Sequence, residues 1–486
     1  MKQYKMLLLL LTLSVYERAQ AQTATVTWTT THQTMDGFGG QDKNYANPGC
    51  NTTYNSGNCF FSFTSAQAAA FFSPSTGIGL SIIRTDNSGC PGTGACTVSS
   101  SIMYDIPTLQ LAVANGAQVE LTIAPPASMK YSGNLKTTLT GADGGCIDTS
   151  EMGPYASFIV SWIQTLQANN VPVSVVQPFN ESDNRSGQCY LTAALYDTFV
   201  KTYLGPALSS AGLTTQLMIT DDENPTDKYY ETCLEDSACA PYVSIVSFHG
   251  YGSGRTDGMG SGYCCASAPA TPANVGTKHI WMSEINGGFT YDSSYGIWTW
   301  DPSMADALVW ARSIHDYLTT TQASGWEYWE LADGESGLVS PGANDGLMLS
   351  DLATTSKRYY VVGQWSKFVR QGWVRIDTTA SPVSGVYLTA FKASDNSAYA
   401  IVAVNQNSSS VDLSFSLDGF PSIASVTPTV TSENVNLADQ SDVSVSGAAF
   451  SYSLPATSVV TFHGTFSSSS SKKSPAPPTA LALTVQ

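Results

Sequence analysis

Only twelve glutamates occur among the 486 residues, and two of them close apolar runs. Glu181 ends VSVVQPFNE, and Glu284 ends HIWMSE. A carboxylate drawn out of water at the end of such a run needs partners, so a glutamate placed there has a task or a counter-ion. Two carboxylates facing one bond are what glycoside hydrolysis requires: one protonates the leaving oxygen, and the other attacks the sugar or activates water. Either glutamate alone could be a salt-bridge partner in a loop. The pair, each at the same place in its run, argues for the chemistry.

Other run ends carry polar groups that would serve this pair. SIIR ends in Arg84, which can brace a carboxylate or simply stabilise the fold. FHGY places His249 and Tyr251 two apart, hence on one face of an extended chain, where Tyr251 can donate to a nucleophilic carboxylate. A satisfied core histidine is the plainer reading of His249. Asn180, directly before Glu181, can bond a sugar 2-hydroxyl. GWEYWEL offers Trp326, Tyr328 and Trp329, with Trp329 as the floor of a sugar subsite, although Trp is also ordinary core material. Glu327 and Glu330 fall on opposite faces of that run, so at most one points inward.

The elements that must position these side chains are eight short apolar runs: Thr34–Gly40, Gly79–Asp86, Gln118–Pro126, Val173–Glu181, Gln216–Asp222, Tyr242–Tyr251, His279–Ile285 and Gly325–Leu331. Helical candidates lie between them at Ser65–Phe72, Met152–Ala168, Thr192–Ser210 and Pro302–Thr320. The pattern predicts an α/β fold, a (β/α)₈ barrel over residues 35–356, whose functional groups come from the C-terminal ends of strands. Glu181 and Glu284 are 103 residues apart, close to three βα units, which places them on the fourth and seventh strands. A doubly wound sheet would look similar, but no glycine-rich phosphate loop follows the early runs.

Residues 357–466 change texture to short alternating strands separated by Ser, Thr, Gly and Asn, the pattern of a side antiparallel β-sandwich. Residues 22–34 are β-rich and can add a strand to it, while residues 467–486 read as a disordered Ser/Pro-rich tail. Lys2 and Lys5, an apolar stretch and Ala19-Gln20-Ala21 mark residues 1–21 as a secretory signal peptide, so a secreted protein is expected. The formal charge of −17 disfavours nucleic acid and anionic lipid as partners. Few charges with 24 Tyr and 10 Trp suit a neutral polar ligand such as a polysaccharide or oligosaccharide. No cofactor, metal or membrane partner is expected, and the expected state is a monomer. The ten cysteines lie beyond the leader: Cys50/Cys59, Cys90/Cys96 and Cys233/Cys239 are close enough to staple short loops. Cys146 and Cys189 are left for each other, and Cys264 and Cys265 for a vicinal bridge. None of the five histidines sits beside them, which argues against a metal site.

The motifs MDGFGGQ, GLSIIR, IAPPASMK, FNES, HGYG, WMSEI and YWEL occur in the order found in glycoside hydrolase family 30. KRYYVVGQWSKFVRQGWVRI resembles that family's passage from the last helix to its side β-domain. The resemblance spans most of the chain. It implies a retaining glycosidase, with Glu181 as acid/base and Glu284 as nucleophile, and carboxyl groups about 5–5.5 Å apart; endo action is the first reading, and exo action, which differs only in whether loops wall off the cleft, is another. The family includes xylanases, β-1,6-glucanases, β-1,6-galactanases and glucosylceramidases. THQTMDGFG and FNESD look most like the xylan-active branch. Two positions depart from the family: Ser182 stands where Pro is common, and Ser128 where a Trp platform is usual. A carbohydrate-binding barrel without catalysis is the reading of another class, and retention of both strand-end glutamates speaks against it.

Peptide mapping of the exported protein under non-reducing conditions should recover Cys50–Cys59, Cys90–Cys96, Cys146–Cys189, Cys233–Cys239 and Cys264–Cys265. Free thiols at Cys50 and Cys59 would contradict an oxidising destination.

Overall fold

The structure, a computed structural model, describes residues 22–42, 63–86, 98–129, 147–184, 189–223, 226–251, 267–287, 291–292, 297–298, 301–332, 346–349 and 351–466. The expected leader 1–21 and tail 467–486 lie outside the described residues, as do Cys50, Cys59, Cys90, Cys96, Cys146, Cys264 and Cys265. Among the described residues, no helix is long and apolar enough to cross a membrane.

Strand β1 (Gln22–Thr34) precedes a closed parallel barrel of eight strands: β2 (Gly37–Gln41), β3 (Ile82–Asp86), β4 (Gln118–Thr122), β5 (Val173–Gln177), β6 (Gln216–Asp222), β7 (Val243–His249), β8 (His279–Glu284) and β9 (Gly325–Tyr328). Every expected run overlaps its strand and seven of the eight contain it whole; β2 runs one residue past Gly40, to Gln41, while most strands stop earlier than the apolar run does. The residues left over, such as those from Pro178 to Glu181, turn out of the ladder at the barrel mouth. Apolar character continues there because the loop bases are buried, not because pairing continues.

The barrel interior is layered. Ile82, Val175, Met218, Ile245 and Trp281 form an apolar floor, all fully buried. The floor closes because β2 and β9 carry glycine where a side chain would intrude. A Cβ on Gly39 would lie 2.5 Å from Ile82, and one on Gly325 would lie 2.7 Å from the Trp281 ring. Below the floor, Asp36 Oδ2 accepts from His279 Nδ1 (2.6 Å), Trp281 Nε1 (2.7 Å) and Ser324 Oγ (2.7 Å). These bonds tie the chain entering β2 to β8 and to the residue before β9.

Helices coat the outside. In the helix Met152–Ala168 the buried residues Tyr155, Ile159, Trp162, Ile163 and Leu166 recur at helical spacing and form one apolar stripe. The helix Lys357–Ser366 packs between the barrel and the second sheet. Its Arg358 pairs with buried Asp306 and donates to the Tyr328 hydroxyl at 2.8 Å. At its other end Trp365 Nε1 donates to Thr389 Oγ1 (3.0 Å), and Gln364 Nε2 donates to Thr431 Oγ1 (2.9 Å). The Thr461 hydroxyl donates to the Gln364 carbonyl at 2.7 Å. These buried polar contacts fix the two domains to one another, because each would be costly to leave unmade.

The second domain contains β10 (Val374–Thr378), β11 (Val386–Lys392), β12 (Ala398–Asn405), β13 (Val411–Asp418), β14 (Ser425–Ser432), β15 (Val435–Asp439), β16 (Val443–Ser444), β17 (Ala449–Leu454) and β18 (Ser458–Thr465). With β1 they form one sheet, in the order β15-β14-β18-β12-β11-β10-β1-β13-β17, with β16 added to β14. Val26, Leu388, Ile401, Phe415, Phe450 and Phe462 meet in its core. All pairings are antiparallel except one: β1 runs parallel to β13. A parallel pair needs a long crossover, and here the entire barrel supplies it. Cys233 and Cys239 are bonded as expected, with Cα atoms 5.2 Å apart. Cys189 is also in a disulfide.

The Asp36 hydrogen bond raises the pKa of the His279 imidazole in the folded chain. A raised histidine stabilises the fold fully below its unfolded pKa of about 6.5 and loses that contribution as pH rises through the folded value. His279→Gln should therefore cost about 1 kcal/mol near pH 5.5 and less near pH 8.5, a modest figure because the ring is partly exposed. Urea denaturation at the two pH values measures it. An equal cost at both would show that the imidazole charge contributes nothing.

Candidate active site

Above the apolar floor the barrel interior becomes polar, and Arg84 stands at its centre, 1% exposed. Its position two residues beyond Ile82 on β3 puts it on the same inward face, one layer higher. Nη1 donates to Glu284 Oε2; Nη2 donates to Asn180 Oδ1 (2.8 Å) and Asp221 Oδ2 (3.0 Å). Nε donates to Thr122 Oγ1 (2.9 Å) and lies 3.5 Å from Glu120 Oε1. Burial alone would weaken the guanidinium charge, but Glu284, Asp221, Glu120 and Glu327 around it hold the proton firmly.

Backbone irregularities aim the other groups inward. Thr220 and Asp221 have φ of 85° and 52°, and the β6–β7 register slips between Thr220 and Asp222. A second slip, between Phe248 and His249, sits at the top of β7. Bulges of this kind re-aim side chains at barrel rims. Glu181 itself has φ 49°, a left-handed conformation uncommon outside glycine, held by its N–H donating to the Asp221 carbonyl at 3.1 Å. The Ser182 hydroxyl, where the family commonly has proline, donates to the Thr220 carbonyl at 3.3 Å.

The two strand-end glutamates meet. Glu181, His249 and Glu284 each present an atom within 4.8 Å of the other two. His249 Nδ1 lies 3.0 Å from Glu181 Oε1 and 3.6 Å from Glu284 Oε1. Its Nε2 lies 3.1 Å from Asp221 Oδ2, as an ion-pair contact rather than an aligned hydrogen bond. The Tyr251 hydroxyl donates to Glu284 Oε1 at 3.0 Å, and Asn184 Nδ2 donates to Glu181 Oε2 at 3.2 Å. Ser283 Oγ donates to Asp221 Oδ1.

The electrostatics follow from these neighbours. Burial would depress the His249 pKa, but Glu284, Asp221 and Glu181 raise it well above the ordinary histidine value. Burial would raise Asp221, but the charges of His249 and Arg84 pull it far below the usual carboxylate range. Burial would raise Glu181 too, yet its hydrogen bond and charge interaction with His249 leave it lowered. Glu181 and His249 therefore hold one proton between them across a 3.0 Å contact. Glu284 faces Arg84, Tyr251 and His249 as well as the Glu181 carboxyl.

Trp329 is half-buried at the mouth, its ring centroid 5.6 Å from the Arg84 guanidinium carbon. Trp326 and Tyr328 face outward into the helix layer, where Tyr328 packs edge-on against Trp310 at 5.1 Å, so they are core. Glu327 is fully buried beside Arg84. Ser128 is exposed in the turn Ala127–Met129. The structure thus brings together Arg84, Asn180, Glu181, His249, Tyr251, Glu284 and Trp329. Sequence reasoning passed over Asp221, Ser283, Thr122, Glu120 and Asn184. Asp221 was within reach of the strand-end criterion, since QLMITDD also closes an apolar run with acids.

Among the described residues two groups of donors stand close together, Glu181–His249–Glu284 and Asp197–Cys233–Cys239, and neither fits a cation. An imidazolium at His249 has no lone pair to give, and Arg84 already occupies Glu284. The second cluster, Asp197 with Cys233 and Cys239, has both sulfurs in a disulfide.

Comparison with known proteins agrees with this architecture. The sequence model of the glycosyl hydrolase family 30 TIM-barrel domain matches residues 98–368, and that of the family 30 beta sandwich domain matches residues 372–462. Glucuronoxylanase XynC of Bacillus subtilis (strain 168) is 33% identical over 185 residues, covering 38% of this chain and 39% of that protein. An endo-1,6-beta-D-glucanase of Neurospora crassa is 24% identical over 297 residues, covering 58% and 57%. The chain thus spans less than two thirds of the length of these curated relatives. The solved structure of the family 30 subfamily 8 xylanase Xyn30A from Clostridium acetobutylicum superposes with a TM-score of 0.72 at 25% identity, over 92% of this chain and 100% of that one. With both domain models matched in order on a closed barrel and its side sheet, the chain belongs to glycoside hydrolase family 30.

Proposed function

We propose that this protein is a secreted endo-acting O-glycosyl hydrolase that cleaves β-1,4-xylan by double displacement. The observation that carries the mechanism is the close approach of two carboxylates in unlike surroundings, with atoms within 4.8 Å. Retaining pairs stand about 5–5.5 Å apart between carboxyl groups, and inverting pairs about 6.5–9.5 Å, to leave room for water. Glu284, fixed by Arg84 and Tyr251, is the nucleophile that forms a bond to the anomeric carbon. The one proton shared by Glu181 and His249 passes through the Glu181 carboxyl to the departing oxygen. In the second half Glu181 accepts a proton from water, the hydroxide attacks the anomeric carbon, and Glu284 leaves as carboxylate. Asn180 has its Oδ1 taken by Arg84, which leaves its amide N–H groups to face a sugar hydroxyl. Trp329 floors the adjacent subsite.

Xylan as substrate is supported by the relatives named as xylanases and by the charge of −17, which disfavours a polyanionic glycan. A β-1,6-glucan is the second reading, favoured by the endo-1,6-glucanase relative.

Glu284→Ala should reduce turnover to background on every substrate. Glu181→Ala should lose about 10²–10⁴-fold on xylan while still cleaving aryl glycosides with good leaving groups, which need little protonation. Assays on xylan, β-1,6-glucan and an activated aryl glycoside test this together. Equal losses on both substrate types would undo the division of roles, and cleavage of β-1,6-glucan alone would replace the substrate. The shared proton also fixes a pH dependence. Activity should fall as pH rises through the raised pKa of the Glu181–His249 pair, and His249→Gln should move that alkaline limb to lower pH in a kcat/KM profile. An unmoved limb would place the essential proton elsewhere.

A further inference from the structure

Glu120 on β4 and Glu327 on β9 are fully buried inside the barrel, and the proposed reaction uses neither. Between their strands lie β2 and β3. The inward positions Gly37 and Gly39 of β2 have no side chain, and Glu327 pairs in register with Gly39. Ile82 fills the space that a side chain at Gly39 would need, and the Glu120 and Glu327 carboxyl groups lie against each other beside Arg84.

Two carboxylates cannot do this. If both were ionised, neither oxygen of Glu327 would have a donor, and nor would Glu120 Oε2. Buried, donorless carboxylates in mutual contact are costly enough that a proton is taken up instead. The donors that are present reach only Glu120 Oε1: the Thr122 hydroxyl at 3.2 Å and Arg84 Nε at 3.5 Å. The remaining charged group facing both carboxyls is Asp221, which is held ionised and disfavours a further negative charge.

We propose that Glu120 and Glu327 share one proton, carried by Glu327, and that this acid–carboxylate pair is a positioning unit for Arg84. It anchors the Nε edge of the guanidinium through Glu120 and Thr122, so that the Nη edge points at Glu284, Asn180 and Asp221. It also sets how much of the Arg84 charge Glu284 feels. The direction of both ionisations agrees: burial, foremost, moves Glu120 up to about 7 and Glu327 well above the ordinary range. The catalytic half of this inference rests on Glu284 being the nucleophile; the proton itself does not.

Infrared spectra of the full chain near neutral pH test the proton directly. Exposed carboxyls are ionised there, while burial also raises Asp222, so the readout is the difference between variants: one carboxylic acid C=O band is expected in wild type and in Glu284→Gln and lost from the spectrum of Glu327→Gln. Absence of the band in wild type, or its survival in Glu327→Gln, overturns the shared proton. The pH profile of kcat/KM tests the positioning. Glu120→Gln removes the carboxylate charge beside Arg84, so the guanidinium should act more strongly on the acids at its Nη edge and the acidic limb should shift to lower pH. The expected kcat falls about 10-fold with KM changed less than about threefold. Glu327→Gln keeps a donor to Glu120 and should leave the acidic limb in place, whereas Glu327→Leu should move it. An acidic limb unmoved in Glu120→Gln overturns the positioning role. If Glu327→Leu does not fold, the two Gln variants still decide. A band behaving as expected, together with an active Glu284→Ala, would sink the nucleophile assignment and leave the proton standing.

Discussion

The polar half of this barrel depends on one buried positive charge. Arg84 has almost no contact with water, and a guanidinium there is tolerable only if anions and acceptors surround it. They come from four strands: Thr122 and Glu120 on β4, Asn180 after β5, Asp221 on β6 and Glu284 on β8. The planar fork of an arginine lets one residue fix several of these at defined angles, which a lysine could not do. Geometry at the mouth is therefore inherited from a charge placed one layer below it.

The surplus of acid around that charge is what separates the functions of chemically identical groups. Five carboxyls, Glu120, Glu181, Asp221, Glu284 and Glu327, share two cationic partners, Arg84 and His249. Not all of them can be ionised together in a medium of low polarity. Asp221 lies against both cations and keeps its charge; Glu327 lies farthest from donors and takes a proton. Glu181 is coupled to an imidazole, and Glu284 lies against a guanidinium and a phenol. That asymmetry is the physical basis for giving them different roles.

The rest of the fold serves to keep these layers aligned. The apolar floor closes on Gly39 and Gly325, the Asp36 cluster ties the bottom, and bulges at Thr220–Asp222 and Phe248–His249 tilt two functional groups inward at the top. The side domain, pinned through Gln364 and Trp365, covers the last helix and uses β1 to join the beginning of the chain to its end.

Much of this was legible in the residues because burial leaves a sequence trace. Continuous apolar runs marked strands covered on both faces, and a rare glutamate at the end of a run marked Glu181 and Glu284. Two residues of separation put His249 and Tyr251 together, since a strand alternates faces. What the sequence could not hold was anything that depends on convergence between strands. Glu120 sits mid-strand in QVELT, and nothing local says that Glu327, 207 residues later, will touch it. The inward turn of Asp221 depends on a bulge, and a bulge is a register difference between neighbouring strands rather than a property of either. The outward direction of Trp326 and Tyr328 follows from where β9 enters the barrel. Local periodicity fixed which groups would reach the barrel mouth; only closure of the barrel decided which charge would stand beside which, because interactions between charges depend on distance in space and not along the chain.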